Sequence, residues 1–451
     1  MSRKIKQKKT MDELLEEVLV PLKEQPYKIP KNWIWTNLGS VLKLSYGKSL
    51  PKKNRSGNGF PVFGSNGVVG YHSEPLVEGP IVIVGRKGSH GVVNWFDNSG
   101  WPIDTTYYLE INKELDLRYY YYLLRNLNLQ RLNRSTAIPG LNREDAYSLT
   151  IAFPPKAEQK RIAKKVEYLL NKIDKAKQLI DEAKQTFELR RAAILDKAFR
   201  GKLTAKWREF NGFQSEQIEK KEITLPLNWN WLKIEDVCIY IQRGKSPKYV
   251  EDSSVRVVSQ KCVQWKGFDL TKARFFDENT LSKYKEERFL RLNDILINST
   301  GTGTIGRVAK INEELKETVV ADSHVTVVRT NDNFINSTFL YYYLSSPLIQ
   351  DKLLNNFTGS TNQVELNLSS VKKLMIPVPP LEEQELIGGQ LKQLFKYEEE
   401  HREIIDSALN NLPMLKQSIL SKAFRGELGT NDPTEESAIE LLKEVLQEQL
   451  T

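Results

Sequence analysis

Two stretches of the chain place apolar residues at alternating steps of four and three. The first series is Ile162, Val166, Leu169, Ile173, Ala176, Ile180, Ala183 and Phe187. Such a heptad seam predicts a long helix that pairs with another in a left-handed supercoil. The second series, Ile387, Leu391, Leu394, Ile405, Ala408, Leu412, Leu415 and Ile419, keeps the same frame. Glu398 and His401 interrupt it, and Pro413 is expected to kink or break that helix. Each series starts just after a Pro-Pro pair, Phe153-Pro154-Pro155-Lys156 or Val378-Pro379-Pro380-Leu381. Proline suits a helix start, and Glu158, Glu382 and Glu383 add the negative charge favoured in a first turn.

Outside these helices the pattern changes to β-branched runs broken by glycine, as in PIVIVGRKGSHGVVNWF (80–96) and DILINSTGTGTIGRVAKI (294–311). These predict strands joined by turns, whereas LRYYYYLLRNL and STFLYYYLSS predict aromatic-rich helices. The tail PTEESAIELLKEVLQEQL predicts a capped amphipathic helix. It resembles MDELLEEVLVPLKEQ near the start, so it is expected to dock beside the first globule.

The pattern is written twice. ILDKAFRGKL (194–203) and ILSKAFRGEL (419–428) agree at eight of ten positions, and IAFPPKAEQKRI (151–162) answers IPVPPLEEQELI (376–387). The offset is the same in both, 419 − 194 = 225 and 376 − 151 = 225. Upstream, PKNWIW answers PLNWNW, YGKSLPK answers RGKSPK and RYYYYLL answers LYYYLSS, with shorter and drifting offsets. Constant spacing marks a rigid scaffold, and drifting spacing marks globules whose loops vary. The division expected is an arm with a short amphipathic helix (1–28), a first globule (29–155), a central spacer helix (156–200), a connector (201–224), a second globule (225–380), a distal spacer helix (381–425) and a tail helix (426–451). The fold class is mixed α/β. A helix over 156–199 would run roughly 66 Å, and a parallel partner would force the connector to travel back that length. The two helices are therefore expected to be antiparallel, giving a pseudo-twofold duplicated architecture.

Charge adds a partner. The net charge is +9, but from Gln25 to Ser73 seven basic residues occur with no acid, among aromatic, glycine and asparagine residues. Leu117 to Arg143 adds five arginines, again without an acid. Such windows suit a polyanion whose bases are also touched. Two cysteines, Cys238 and Cys262, and four scattered histidines support neither a disulfide framework nor a metal site. No stretch has the length of a membrane span and the start lacks a signal peptide's apolar core, so a cytoplasmic protein is expected.

Catalytic motifs fare poorly. GTGTIG (301–306) matches the dinucleotide fingerprint, with Asp322 some way downstream. Its sister segment, Gly85-Arg-Lys-Gly88-Ser-His-Gly91, is followed by a strand pattern, so a β-turn between strands is expected in both. The Pro-Pro tetrapeptides lack the polar residue and the aromatic that amino-methyltransferases use on an extruded base. Glu-x-Lys at 158–160, 182–184 and 314–316 has no Pro-Asp partner, and the two copies on predicted helices read as solvated charge. An alternative remains a self-contained nucleotide- or S-adenosylmethionine-binding enzyme using the GTGTIG loop.

The doubled tryptophan-flanked globule starts, Pro-Pro followed by Glu-Gln, and the Ile-Leu-x-Lys-Ala-Phe-Arg-Gly helix ends resemble the DNA specificity subunit of Type I restriction-modification enzymes over nearly the whole chain. The resemblance implies that each globule is a target recognition domain reading one half of a split site on double-stranded DNA. It implies a helical spacer that docks two methyltransferase subunits, with restriction and translocase subunits beyond them. S-adenosylmethionine, ATP and Mg would then belong to the partners, and this chain would be non-catalytic, with no cofactor, metal or membrane of its own. The loops expected to face DNA carry Lys48, Lys52, Asn54, Arg55, Asn66, Arg86, Lys87 and His90, and in the second globule Arg243, Lys245, Lys248, Gln260, Lys261, Gln264 and Thr302. Arginine and lysine suit guanine edges and phosphates, and asparagine and glutamine suit adenine edges.

Overall fold

The computed structural model describes residues 10–132, 140–213, 217–220, 223–301, 303–355, 357–358 and 365–450. Thr302 lies outside the described residues, as does Arg134 of the arginine-rich window. The chain forms two compact units, Met1–Leu179 with Ser407–Thr451, and Ile180–Asp406. The expected segments are consecutive along the chain, whereas each unit combines one globule with part of both long helices. Antiparallel pairing is the cause, since it sets the end of one helix beside the start of the other.

The long helices span Lys156–Phe199 and Leu381–Phe424. In the second unit Lys184 pairs with Asp406 at 2.6 Å and Glu188 with Arg402 at 2.6 Å, so a step of four forward on one helix is four back on the other. In the first unit Asp174 pairs with Lys416. The expected break at Pro413 does not occur, because the helix runs through it. Pro413 is exposed, so its ring meets solvent and water can satisfy the carbonyl it frees. Of the seam, Ile162, Val166, Ile173, Ile387 and Leu391 are buried. Leu169, Ile180, Phe187, Leu394, Ile405, Leu412 and Ile419 are half-buried, and Ala176, Ala183 and Leu415 are exposed. A two-helix pair covers only one flank of its seam away from the globules.

In the first unit a four-stranded antiparallel sheet has the spatial order Leu42–Tyr46, Thr106–Ile111, Ile81–Gly85, Val93–Phe96. In the second unit the order is Cys238–Arg243, Val325–Thr330, Ile295–Asn298, Val308–Lys310, the same connectivity. Each unit adds a second sheet, three-stranded in the first unit and four-stranded in the second, containing one parallel pair, Phe60–Gly64 with Trp101–Pro102 or Val255–Val258 with Thr318–Ala321. The aromatic-rich helices are Leu117–Asn126 and Ser337–Leu344, and their tyrosines fill the cores.

The doubled decapeptide explains how each globule is held. Phe424, at the end of the second long helix, packs against Tyr119 of the first globule, with ring centroids 5.3 Å apart. Phe199, at the end of the first, packs against Phe339 and Tyr343 of the second globule at 5.4 and 5.0 Å. The glycine that follows closes a Schellman motif. Gly201 adopts φ +71° and Gly426 φ +74°, with Lys202 N donating to Lys197 O at 2.8 Å and Glu427 N to Lys422 O at 2.9 Å. A Cβ on either glycine would lie 2.5 Å from a proline, Pro226 or Pro30, that opens the Trp-containing segment of the same unit. Next, Thr204 Oγ1 donates to Glu383 at 2.6 Å in the second unit, and Thr430 Oγ1 to Glu158 at 2.6 Å in the first.

Glu158 corrects the sequence reading of it as solvated charge, since it is fully buried in its first turn, as is Glu383. Glu383 also accepts from Trp229 Nε1 at 3.0 Å and pairs with Arg208. Glu158 pairs with Arg161 at 2.7 Å, which continues to Glu435 at 2.6 Å. The neighbouring Gln159 and Gln384 brace each helix start by donating to Pro154 O and Pro379 O, and accept from the N-cap amides of the aromatic helices, Asp116 and Asn336. The stretch 201–224 is therefore more than a connector, because Thr204 and the short helix Ala205–Phe210 carry this anchor. The tail docks as expected: Ala438–Leu450 supplies Leu441, Leu442, Val445 and Leu446 to the first core, alongside the capped helix Met11–Val18.

Candidate nucleic-acid interface

In the first unit the candidate loops leave one end of the four-stranded sheet. Strand Leu42–Tyr46 runs into Lys48 and the turn Lys52–Asn54, and the hairpin between Ile81–Gly85 and Val93–Phe96 carries Arg86, Lys87 and His90. The carbonyl of Thr105 accepts from Arg86 N at 2.9 Å, Lys87 N at 3.1 Å and Ser65 Oγ at 2.7 Å, drawing hairpin and Asn66 turn together. Leu141 N donates to Arg86 O at 2.9 Å, which brings Arg143 to the same place. Tyr46 is 48% exposed, and the Arg86 and Arg143 guanidinium groups lie 4.9 and 5.0 Å from its ring centroid. Tyr46 heads the repeated YGKSLPK segment and Arg143 closes the arginine-rich window, but neither was singled out, because what joins them to Arg86 is a contact between segments distant in the chain. Behind Tyr46, burial pushes the Tyr107 hydroxyl up to about 12 while it donates to Leu141 O at 3.2 Å.

The expected residues divide by their bonds. Lys48, Lys52, Asn54, Asn66 and Lys87 are exposed. Lys48 is steadied where Trp101 Nε1 donates to its carbonyl at 2.8 Å. Arg55 instead serves the fold, donating from Nε to Leu50 O at 3.1 Å and from Nη1 to Val69 O at 2.6 Å. His90 is likewise held between Gly88 O and Gln130 O.

In the second unit the equivalent loops carry fewer free cations. Arg243 pairs with Glu365 and donates to Leu366 O, Lys245 donates to Lys283 O at 3.0 Å, and Lys248 pairs with Asp277 at 2.8 Å. The Lys248 bond, helped by the Asn279 amide, holds the Asp277 carboxyl below its ordinary value of 3.8. Gln260 donates to Thr300 at 2.5 Å, and Thr300 Oγ1 meets His324 Nδ1 at 2.8 Å. Gln264 accepts from Arg307 at 3.0 Å, whose other amine donates to Gly303 O at 2.9 Å. Lys261 is exposed, as is Trp265 at 51% in the adjoining turn. Through Glu365, which bridges to Thr300, one amide- and arginine-lined cluster joins the 243, 260 and 300 loops, with Arg307 and His324 added to the expected set, while Trp265 lines a cavity with Arg191 and Phe395 of the long helices.

The GTGTIG segment lies in the hairpin between Ile295–Asn298 and Val308–Lys310, so a strand follows it where a phosphate-binding helix would be needed. Asp322 is buried with its carboxyl bonded to the His324 amide at 2.8 Å, and burial raises its pKa. No described helix is long and apolar enough to cross a membrane.

Comparison with known proteins agrees with the duplication. The family model described as Type I restriction modification DNA specificity domain matches twice, at residues 30–185 and 226–408, each match taking one globule and the greater part of the helix after it. The Escherichia coli Type I restriction enzyme EcoBI specificity subunit is 27% identical over 441 residues, covering 93% of this chain and 90% of that protein. The EcoDI specificity subunit of Escherichia coli is 26% identical over 420 residues, covering 89% and 90%. A chain from a solved structure concerned with complex assembly and conformational transition of the type I R-M system matches with a TM-score of 0.65. It is 21% identical, with 89% of this chain and all of that one covered, a likeness of fold.

Proposed function

The chain belongs to the Type I restriction modification DNA specificity family, and from that premise we propose that it is the DNA-reading subunit of a Type I restriction-modification complex. Each globule reads one half of an interrupted target on double-stranded DNA. The observation that carries this reading is the repeated geometry: two sheets of the same connectivity each present, at the end of the first strand, loops rich in cations and amides. Phosphate contacts from Lys52 and Lys87 position the first reader, and amides such as Gln264 suit base edges in the second.

The helix pair offers the surface for two methyltransferase subunits. Leu189, Ile404 and Met414 on the long helices are 74%, 68% and 65% exposed, apolar side chains of the kind a docked subunit covers. Methylation, cleavage and translocation, with S-adenosylmethionine, ATP and Mg, reside in the methyltransferase and restriction subunits, and the complex works in the cytoplasm. The rival nucleotide-binding enzyme has no supporting geometry at the GTGTIG hairpin.

The test is DNA binding by the full chain with its methyltransferase subunits, across a salt series and with methylated sites mapped in the host. Three to five phosphates neutralised per reader give a log K against log salt slope of about −5 to −9. A slope shallower than about −2, or methylation unchanged when the gene is deleted, refutes the proposal.

A further inference from the structure

The first unit exposes apolar side chains where its cations gather. Strand Gly67–His72 is the outer strand of the smaller sheet. Val68, Val69 and Tyr71 on it are 47%, 46% and 47% exposed. Pairing with Phe60–Gly64 passes from Val62↔Gly70 to Phe63↔Val68, so Val69 is the extra residue of a bulge. A bulge breaks the alternation of faces and re-aims side chains, which is why neighbouring valines are both exposed.

An exposed strand edge ordinarily invites another strand. Here two of its outward carbonyls are already occupied: Arg55 Nη1 donates to Val69 O at 2.6 Å and Gly57 N to Tyr71 O at 3.2 Å. Gly70 lets the arginine lie close, since a Cβ there would sit 3.1 Å from Arg55 Cδ. What remains available is chiefly side chain. The surroundings select the occupant: no acid occurs between Gln25 and Ser73, and Lys52, Lys53, Asn54 and Asn66 are exposed. Ser65, at the turn before the strand, shares the Thr105 carbonyl with Arg86 and Lys87. The strand therefore adjoins the candidate reading loop.

We propose that Val68, Val69 and Tyr71 are specificity-determining residues that meet thymine methyl groups in the major groove of the first half-site. The thymine methyl is the one apolar feature of a base edge there, and an apolar side chain is its complement. This inference rests on the DNA-reading function proposed above and names chemistry that the polar candidates lack.

The experiment uses the full chain with its methyltransferase subunits and the target found by methylation mapping. Thymine is replaced by deoxyuridine in the first half-site, then in the second. Loss of each contacted methyl should weaken binding about fourfold. Val68→Ser/Val69→Ser and, separately, Tyr71→Ala should bind thymine and deoxyuridine first half-sites more nearly alike, with the response to second half-site substitutions unchanged. A first half-site without thymine overturns the inference, as does wild-type binding indifferent to deoxyuridine there. Variants that lose methyltransferase assembly but keep thymine discrimination also overturn it, assigning the strand to a protein partner. If wild type shows no site preference at all, the DNA-reading function itself fails.

Discussion

Replacing Glu383 by alanine is expected to loosen the second unit more than replacing Glu158 loosens the first. The Glu383 side chain is 0% exposed and its partner Arg208 only 10%. Without the carboxylate, a buried guanidinium stands unpaired, and the Thr204 hydroxyl and Trp229 indole lose their acceptor. Removing one partner of such a pair costs about 3–5 kcal/mol. In the first unit Arg161 is 38% exposed and keeps Glu435 at 2.6 Å when Glu158 is gone. The loss there approaches that of one or two hydrogen bonds, about 1–2 kcal/mol. Hydrogen exchange reports each unit separately, through amides of 381–395 and 156–170, and a double replacement of Arg208 and Glu383 measures their coupling. Equal loosening of the two helix starts, or a Glu383→Ala effect below about 0.5 kcal/mol, would refute the reasoning.

Asp277 should govern part of the acid response of the second unit. Its carboxyl is held below 3.8 chiefly by Lys248, so the stability it contributes is complete above that value and is lost as pH falls through the lower folded value. Asp277→Asn should flatten the loss of stability below about pH 4, and an unchanged acid limb in thermal unfolding would count against the pair. Fragment 1–210 should dimerise in sedimentation, because Phe199, Gly201 and Thr204 of one copy match Phe424, Gly426 and Thr430, which the first globule already binds. Fragment 1–198 lacks all three and should be monomeric; the reverse pattern would sink the equivalence.

Much of the scaffold was legible because its signals are local. The heptad steps, the Pro-Pro starts and the Gly-containing helix ends each act within a few residues, and the helices begin at Lys156 and Leu381 and end at Phe199 and Phe424 accordingly. Glu158 was misread as solvated, and the anchoring role of Glu383 went unseen, because their partners are distant in sequence, Thr430 lying 272 residues from Glu158 and Thr204 lying 179 from Glu383. The same distance hid the state of the cations. Arg243 reads as a free reader until Glu365, 122 residues on, is seen beside it. Local charge identifies a basic window, but only the fold decides which cations a carboxylate already holds. The bulge at Val69 was invisible for a related reason, since it exists only relative to Phe60–Gly64.

The two kinds of residue also occupy separate places, and that separation bears on why the decapeptide is doubled. Thr204 and Trp229 bond to Glu383 and Thr430 to Glu158, Phe199 and Phe424 pack on the aromatic helices, Gly201 and Gly426 approach Pro226 and Pro30, and none of these contacts involves Arg86, Lys87, Gln260 or Gln264. Each globule is anchored at once by the start of its own long helix and the end of the other. Such an anchor needs the Phe-Arg-Gly end twice, at positions fixed relative to both Pro-Pro starts, which is the constant 225-residue offset. The reading-loop residues make none of these contacts and differ between the units, as the bulged apolar strand of the first and the carboxylate-paired cations of the second do. A reading surface can therefore be altered at the cost of its own loop contacts alone, while the burial that holds the globule to the helices stays intact.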